Sequence, residues 1–434
     1  MTDQYIFESA RAAWQGAADF RRRRQRYKNY TYGNQWCDIV PDADGNSRVE
    51  EDILRESGKR PYVNNLIRQL VKTIVGRYRN ICAEAAIYSG NSGAELNSLA
   101  ELDSRLLEEF LISGCAVQRI VSERRFNGTG VWIDNVDPRA FFVNPHRDPR
   151  GWDINLVGML HDMSIAEVIN RFAAGDRVRA AELRRIYDHD TGPASGGILG
   201  KDTAGCGDFL HPSAAESCRV VEVWTFDPHE PGAEESYSLD FRWHCRYFAP
   251  DGTVLDSFDS PFAHGSHPFA LKLYPLTDGE VHPFVEDIID QQRYINRLIV
   301  MIDHIMAASA KGVLLFPEDQ LPKGVSWHDV QTCWALADGV IPITGRGTHL
   351  PQQVVTSAAN SGAYQLLSLQ MKLLENISGV GDALLGRNMP GSTGAELYDN
   401  QVKNATIALA DIFETFTSFI KERDRKMQNC KTPN

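Results

Sequence analysis

The sequence predicts an α+β fold. Helical and strand patterns fall in separate stretches of the chain instead of alternating, and the strand-like stretches are short runs bounded by Gly-containing turns. With 434 residues, 43% of them apolar, the chain is long enough for two or three hydrophobic cores.

Apolar Ile6, Phe7, Ala10, Ala13, Trp14, Ala17 and Phe20 recur at helical spacing and predict one helix over 5–28. It ends in Arg21, Arg22, Arg23 and Arg24, followed by Arg26 and Lys28. These cations suit a helix C-terminus on a solvated face. They equally suit a contact to phosphate or to an acidic neighbouring subunit. Residues 30–36 read as an aromatic-rich turn and 41–48 as a polar loop without the calcium-loop spacing. Pro61 suits a helix start, and Leu66, Ile67, Leu70, Ile74 and Val75 predict a helix over 61–79. A third helix covers 96–113 and ends at Gly114.

The period then changes to two. Strands are expected over 115–122 and 130–136, with a turn at Asn127-Gly128, and again near 137–145. Ser164 and Glu167 form a capping box for a helix over 165–173. Residues 174–217 carry little pattern, and 218–274 read as a β module with strands over 220–226, 238–248 and 254–258. The most persuasive helix spans 285–310. Ile288, Ile295, Ile299 and Ile302 form one seam along it, which predicts packing in a bundle or against copies of itself. A short strand closed by Pro317 follows, then helices over 361–378 and 395–427. Between those helices Gly386, Arg387, Asn388, Gly391 and Gly394 make a glycine-rich break, expected to be a hinge or channel loop.

The formal charge of −12 argues against generic wrapping of nucleic acid over the whole surface. No apolar run reaches the roughly 18 residues of a membrane span. The N-terminus has no basic region followed by an apolar one, so no secretory signal is expected. Eight scattered cysteines without a CxxC pair predict free thiols in a reducing compartment. Cys206, His211, Cys218, His244 and Cys245 match no standard zinc spacing. There is no phosphate-binding GxxxxGK loop, dinucleotide fingerprint, HExxH or GxSxG. His161-Asp162 and Asp188-His189-Asp190 lack an identifiable third partner. Glu286, Asp287 and Asp290 are explained by placement near a helix N-terminus. The sequence predicts no enzyme activity, cofactor or metal site.

Five stretches taken together resemble the portal protein of tailed bacteriophages. They are Tyr30–Trp36 with Arg60–Leu66; Leu111–Gly114 leading to Asn135–Pro138 and Phe141–Pro145; Gly265–Phe269 through Tyr274–Glu280; Asp290–Arg297; and Ile377–Val380 with Leu385-Gly386 and Ser392–Glu396. Their order and reach along the chain make the resemblance specific. It implies a virion protein assembled in the host cytoplasm, forming a ring, usually of twelve subunits, at one capsid vertex. Double-stranded DNA passes through that ring, driven by a separate terminase large subunit. A head-tail adaptor and the major capsid protein or scaffold are the further partners. The resemblance divides the chain into wing (1–205 and 312–365), the approach to the stem and a β-containing clip (206–284), a stem helix (285–311), and channel-facing and short crown helices (366–434). Alternatives are another phage head or adaptor protein, or a phage nucleic-acid enzyme.

Overall fold

The computed structural model describes residues 2–42, 44–86, 97–125, 128–188, 207–212, 217–229, 240–309, 313–335, 341–344, 350–354, 360–381 and 407–430. Helices and strands are both abundant and largely segregated, as the α+β prediction requires. Two compact units emerge: Met1–Asn34, Ile67–Ile289 and Ser378–Asn434 in the first, Gln35–Leu66 and Asp290–Ile377 in the second.

The first unit is built on two antiparallel sheets. Five strands, Phe141–Val143, Leu156–Met163, Cys218–His229, Asp240–Phe248 and Val254–Asp259, pair in sequence order. Three more, Phe269–Leu273, Cys115–Arg125 and Gly128–Asn135, make the second sheet, with Cys115–Arg125 central. The expected β module at 218–274 therefore divides. Its first three strands continue a sheet begun at Phe141, whereas Phe269–Leu273 pairs with Cys115–Arg119. A turn at Gly252, with φ +85° and an Ala249–Thr253 backbone bond, joins Asp240–Phe248 to Val254–Asp259.

Strand Leu156–Met163 carries no alternation because the sheet is covered on both faces. Leu156 and Leu160 pack in a cluster with Ile6, Phe7, Trp14, Val221 and Val223, and Val157 packs in a cluster with Val168, Leu183, Val220 and Trp224. Gly158 is obligatory there, since a Cβ would collide with the Phe142 ring and the Glu222 carbonyl. The second cluster also takes in the helices Ile165–Phe172, which starts at the predicted capping box, and Arg177–Asp188, which the weak pattern of 174–217 did not reveal.

The N-terminal helix is two helices, Asp3–Gly16 and Ala18–Thr31, rather than one. Gly16 has low helix propensity, and Arg21 folds back to donate to the Trp14 carbonyl at 2.7 Å. The third predicted helix runs Leu99–Ser113 and ends at Gly114 with φ +71°. The last described helix, Ala410–Gln428, is fastened to the first unit by two buried cations. Arg423 pairs with Asp103 at 2.5 Å, and the Lys426 ammonium donates to the Phe269 carbonyl at 2.5 Å. Burial pushes the Lys426 pKa down to about 8.

The second unit holds the hairpin Ile39–Pro41/Ser47–Val49, the helix Glu50–Glu56, most of the long helix Phe284–Ser309, the pair Val313–Leu315/Gln352–Val354, and the helices Trp327–Ala335 and Asn360–Ser378. The helix expected from Pro61 begins instead at Leu66. Side chains hold the preceding backbone out of the helix: Asn64 N donates to Asn296 and Leu66 N to Gln292.

The two sheets of the first unit are linked by a charge. Glu222 is fully buried, 3.2 Å from Arg119 and 2.7 Å from His161 Nε2, and it accepts from the Trp224 indole at 2.7 Å. Burial pushes its pKa up, but Arg119 and the hydrogen bonds from His161 and Trp224 outweigh burial and hold it below the carboxylate range. Arg119→Met should cost about 3–5 kcal/mol by stranding that carboxylate, measured by urea denaturation. Because the folded pKa is depressed, the stabilisation from Glu222 is complete above its unfolded value of about 4.3 and fades as pH falls toward the folded value. Glu222→Gln should therefore flatten the acid limb of the stability curve.

Candidate functional site

Motifs far apart in the sequence meet in the second unit. Gln292 donates to the Asn64 carbonyl at 2.6 Å and to Asn296 Oδ1 at 3.0 Å. Asn296 donates in turn to Gln35 Oε1 at 2.6 Å, and Gln35 donates to Asn65 Oδ1 at 3.1 Å. Gln35, Gln292 and Asn296 are essentially without solvent exposure. Beside them Glu50 accepts from Arg293 at 3.0 Å and from Arg297 at 2.6 Å. Amides suit this place because each carries a donor and an acceptor, so a chain of them satisfies the backbone ends of a segment that is neither helix nor strand. The Trp36 indole closes the loop on the Tyr62 carbonyl at 3.1 Å. Gln35-Trp36 and segments 60–66 and 290–297 thus act as one fastening.

A second convergence lies in the first unit. Tyr274 N donates to the Gly114 carbonyl at 2.8 Å. A Cβ on Gly114 would strike Val281 and the Tyr274 carbonyl. Ser378, Gly379 (φ +66°) and Val380 end the helix Asn360–Ser378, with Val380 fully buried.

The four consecutive arginines have four different fates. Arg21 is buried, its guanidinium 3.7 Å from the Trp14 ring centre. Arg24 is buried in a two-pronged pair with Glu109 at 2.7 and 2.8 Å, with Asp137 at 3.6 Å. Arg23 is half-buried, 3.9 Å from Glu286. Arg22 alone is well exposed, paired with Asp19. The residues expected to reach phosphate or a neighbouring subunit as a group are, for the most part, spent within the chain.

The isoleucine seam shares this fate. Ile288, Ile295 and Ile302 are already buried in the single chain and Ile299 is half-buried, whereas Tyr294, Met301 and Met306 are exposed. Gly386, Arg387, Asn388, Gly391 and Gly394 lie outside the described residues, as do Cys206, His189 and Asp190. His211 contacts Asp208 at 2.9 Å. Asp162 holds the buried Arg219 at 2.6 Å and His161 holds Glu222, so both members of that pair have structural work.

One arrangement escaped the sequence motifs. His244 Nδ1 is 2.6 Å from Asp259 and Nε2 is 2.7 Å from Ser257, the connectivity of an acyl-transfer triad. Catalysis also needs a substrate cleft and oxyanion donors. None of the three residues lines any of the described cavities, and Asp259 is open to water. The cluster reads as a cross-strand hydrogen-bond ladder between neighbouring strands.

Arg24→Ala should cost about 3–5 kcal/mol, since Glu109 and Asp137 lose the same buried cation, whereas Arg22→Ala should stay within about 0.5 kcal/mol. Thermal unfolding of the two variants checks this. Ile295→Asp should lower the stability of the subunit itself, because the charge enters its own core; folded monomers of wild-type stability would show that the residue faces only a neighbour.

No curated protein matches the chain. The family model described as phage P22-like portal protein matches residues 7–429, spanning every motif that the amide network and the Gly114 contact bring together. The chain belongs to the phage P22-like portal protein family.

Proposed function

We propose that the protein is the subunit of a closed ring, of twelve copies in the virion, that forms the channel for DNA packaging and ejection at one capsid vertex. The family is a structural component of the phage head, and the match over residues 7–429 carries the reading. No described helix is long and apolar enough to cross a membrane. In this reading DNA is moved by a terminase that docks on the ring, a head-tail adaptor later takes the same end, and capsid protein or scaffold surrounds the wing. An acidic chain suits a wall past which phosphate slides.

The wing is assigned to 1–205 and 312–365, the stem entry and clip to 206–284, the stem helix to 285–311 and the channel-facing and short crown helices to 366–434. A second reading puts the clip at the strand pair Val313–Leu315/Gln352–Val354, which lies in sequence between the helices Phe284–Ser309 and Asn360–Ser378. It is favoured by the five-stranded sheet, which joins strands on both sides of residue 205 and leaves only the two-residue pair Leu276–Thr277/Glu280–Val281 as a sheet confined to 206–284 among the described residues. A photo-crosslinker at Phe241 or at Trp327, both exposed, separates the two: the first reading expects terminase and adaptor to be captured from Phe241, the second from Trp327.

Electron microscopy of the purified chain should show rings with a central hole, and the rings should turn over no ATP without terminase. Monomers under all assembly conditions would overturn the ring reading.

A further inference from the structure

The loop between Val143 and Leu156 is braced to an unusual degree. Asn144 accepts from the amides of Asn155 and Leu156 at 3.0 and 3.2 Å and donates to the carbonyls of Pro145 and Asp153 at 3.0 and 3.2 Å. Asp153 accepts from the amides of Arg147 and Asp148 at 2.7 and 3.2 Å. Asp148 accepts from the Arg150 amide at 2.8 Å and from its guanidinium at 2.9 Å. Lys272, from the neighbouring sheet, donates to the Pro149 carbonyl at 2.9 Å. Gly151 takes φ +74°, a conformation costly to any other residue.

This rigid frame displays apolar surface. Trp152 is 76% exposed, the most exposed of the tryptophans and aromatic side chains described. The Arg150 guanidinium stacks 3.8 Å from its ring centre. A pre-ordered Trp beside an Arg is the composition of a binding hot spot, because neither side chain has much freedom left to lose on docking. Charge separates the possible partners. The two loop carboxylates are committed to backbone amides and to Arg150, which leaves Arg147 as an exposed cation on the same loop. The loop has equal numbers of arginines and aspartates, too weak a field to hold a phosphate backbone. One exposed cation on a loop that displays an apolar plate instead fits a protein surface that carries a carboxylate. An excess of carboxylates is what a second copy of this chain, with its charge of −12, offers.

We propose that the Trp152 loop is a subunit-to-subunit contact, its ring and Arg147 docking on a carboxylate-rimmed apolar surface of the next copy. The proposal rests on the ring reading. Because the loop and its acceptor are different surfaces, the contact is head-to-tail, the kind that closes into a ring.

The test compares wild type with Trp152→Ala, Arg147→Glu and a control, Tyr5→Ala, at another exposed aromatic. Native mass measurement should find the assembly constant per contact lowered at least tenfold in the first two and unchanged in the control, with melting temperatures equal throughout. A photo-crosslinker at position 152 should join two copies at an Asp- or Glu-bearing segment. Wild-type rings with undiminished Trp152→Ala assembly and no chain-to-chain crosslink would overturn this contact and leave the ring reading standing. A crosslink to capsid protein or terminase, or lost DNA retention with assembly intact, would also overturn it. Wild type that never forms rings would overturn both.

Discussion

The first unit depends on a carboxylate that has no access to water. Glu222 sits in the middle of the five-stranded sheet, and Arg119 reaches it from the three-stranded one. Desolvating both ions is expensive, so the arrangement holds only while the two sheets keep their spacing and His161 and Trp224 fill the remaining oxygen positions. One residue earlier on the same central strand, Gln118 points the other way and donates to Asp103, the partner of Arg423 on the C-terminal helix. Adjacent positions of a strand face opposite sides. Strand Cys115–Arg125 is therefore tied to the five-stranded sheet through one face and to the C-terminal helix through the other. Residues more than three hundred positions apart are held by polar contacts that only one register satisfies.

The second unit uses the same logic without charge at its centre. The amide groups of Gln292 and Asn296 bond the backbone of Asn64 and Leu66, and Gln35 and Asn65 carry the same chain of bonds onward through their side chains. Apolar packing tolerates a slip of the long helix better than this chain of directional bonds does. Burial of Ile295 and Ile302 in the single chain has a consequence for assembly. The long helix is ordered before any neighbour arrives, so association does not have to bear the cost of folding it.

Much of this was legible in the sequence, and the rest was hidden for identifiable reasons. Periodicity placed Leu99–Ser113 and Phe284–Ser309 to within a few residues, and Ser164 with Glu167 marked a helix start. Strand Leu156–Met163 was invisible because burial on both faces removes alternation. The start of Leu66–Ala86 was misplaced because Pro61 is a local signal, whereas Gln292 and Asn296 act from more than two hundred residues away. The arginine run was ambiguous for a related reason. Composition shows four adjacent cations, but their separate environments are set by Trp14, Glu109, Asp137 and Glu286, which only the fold assembles. In the site, the resemblance picked out Gln35, Asn64, Gln292 and Asn296 as parts of separate stretches; that they bond to one another was not deducible from spacing.

In the proposed ring the buried charges also bear on how a subunit would meet DNA. Arg21, Arg24, Arg219, Arg423 and Lys426 are buried, against buried Glu50, Asp103 and Glu222 among the described residues. Cations are thus withdrawn from the surface in greater number than carboxylates. Among the described residues, the exterior is therefore more negative than their total formal charge. Phosphate approaching that exterior meets repulsion that extends over roughly a Debye length, about 8 Å at physiological salt. A protein that grips DNA places its arginines outward. This one commits several of them to holding its own sheets and helices together, so the proposed ring would confine a duplex chiefly by its walls.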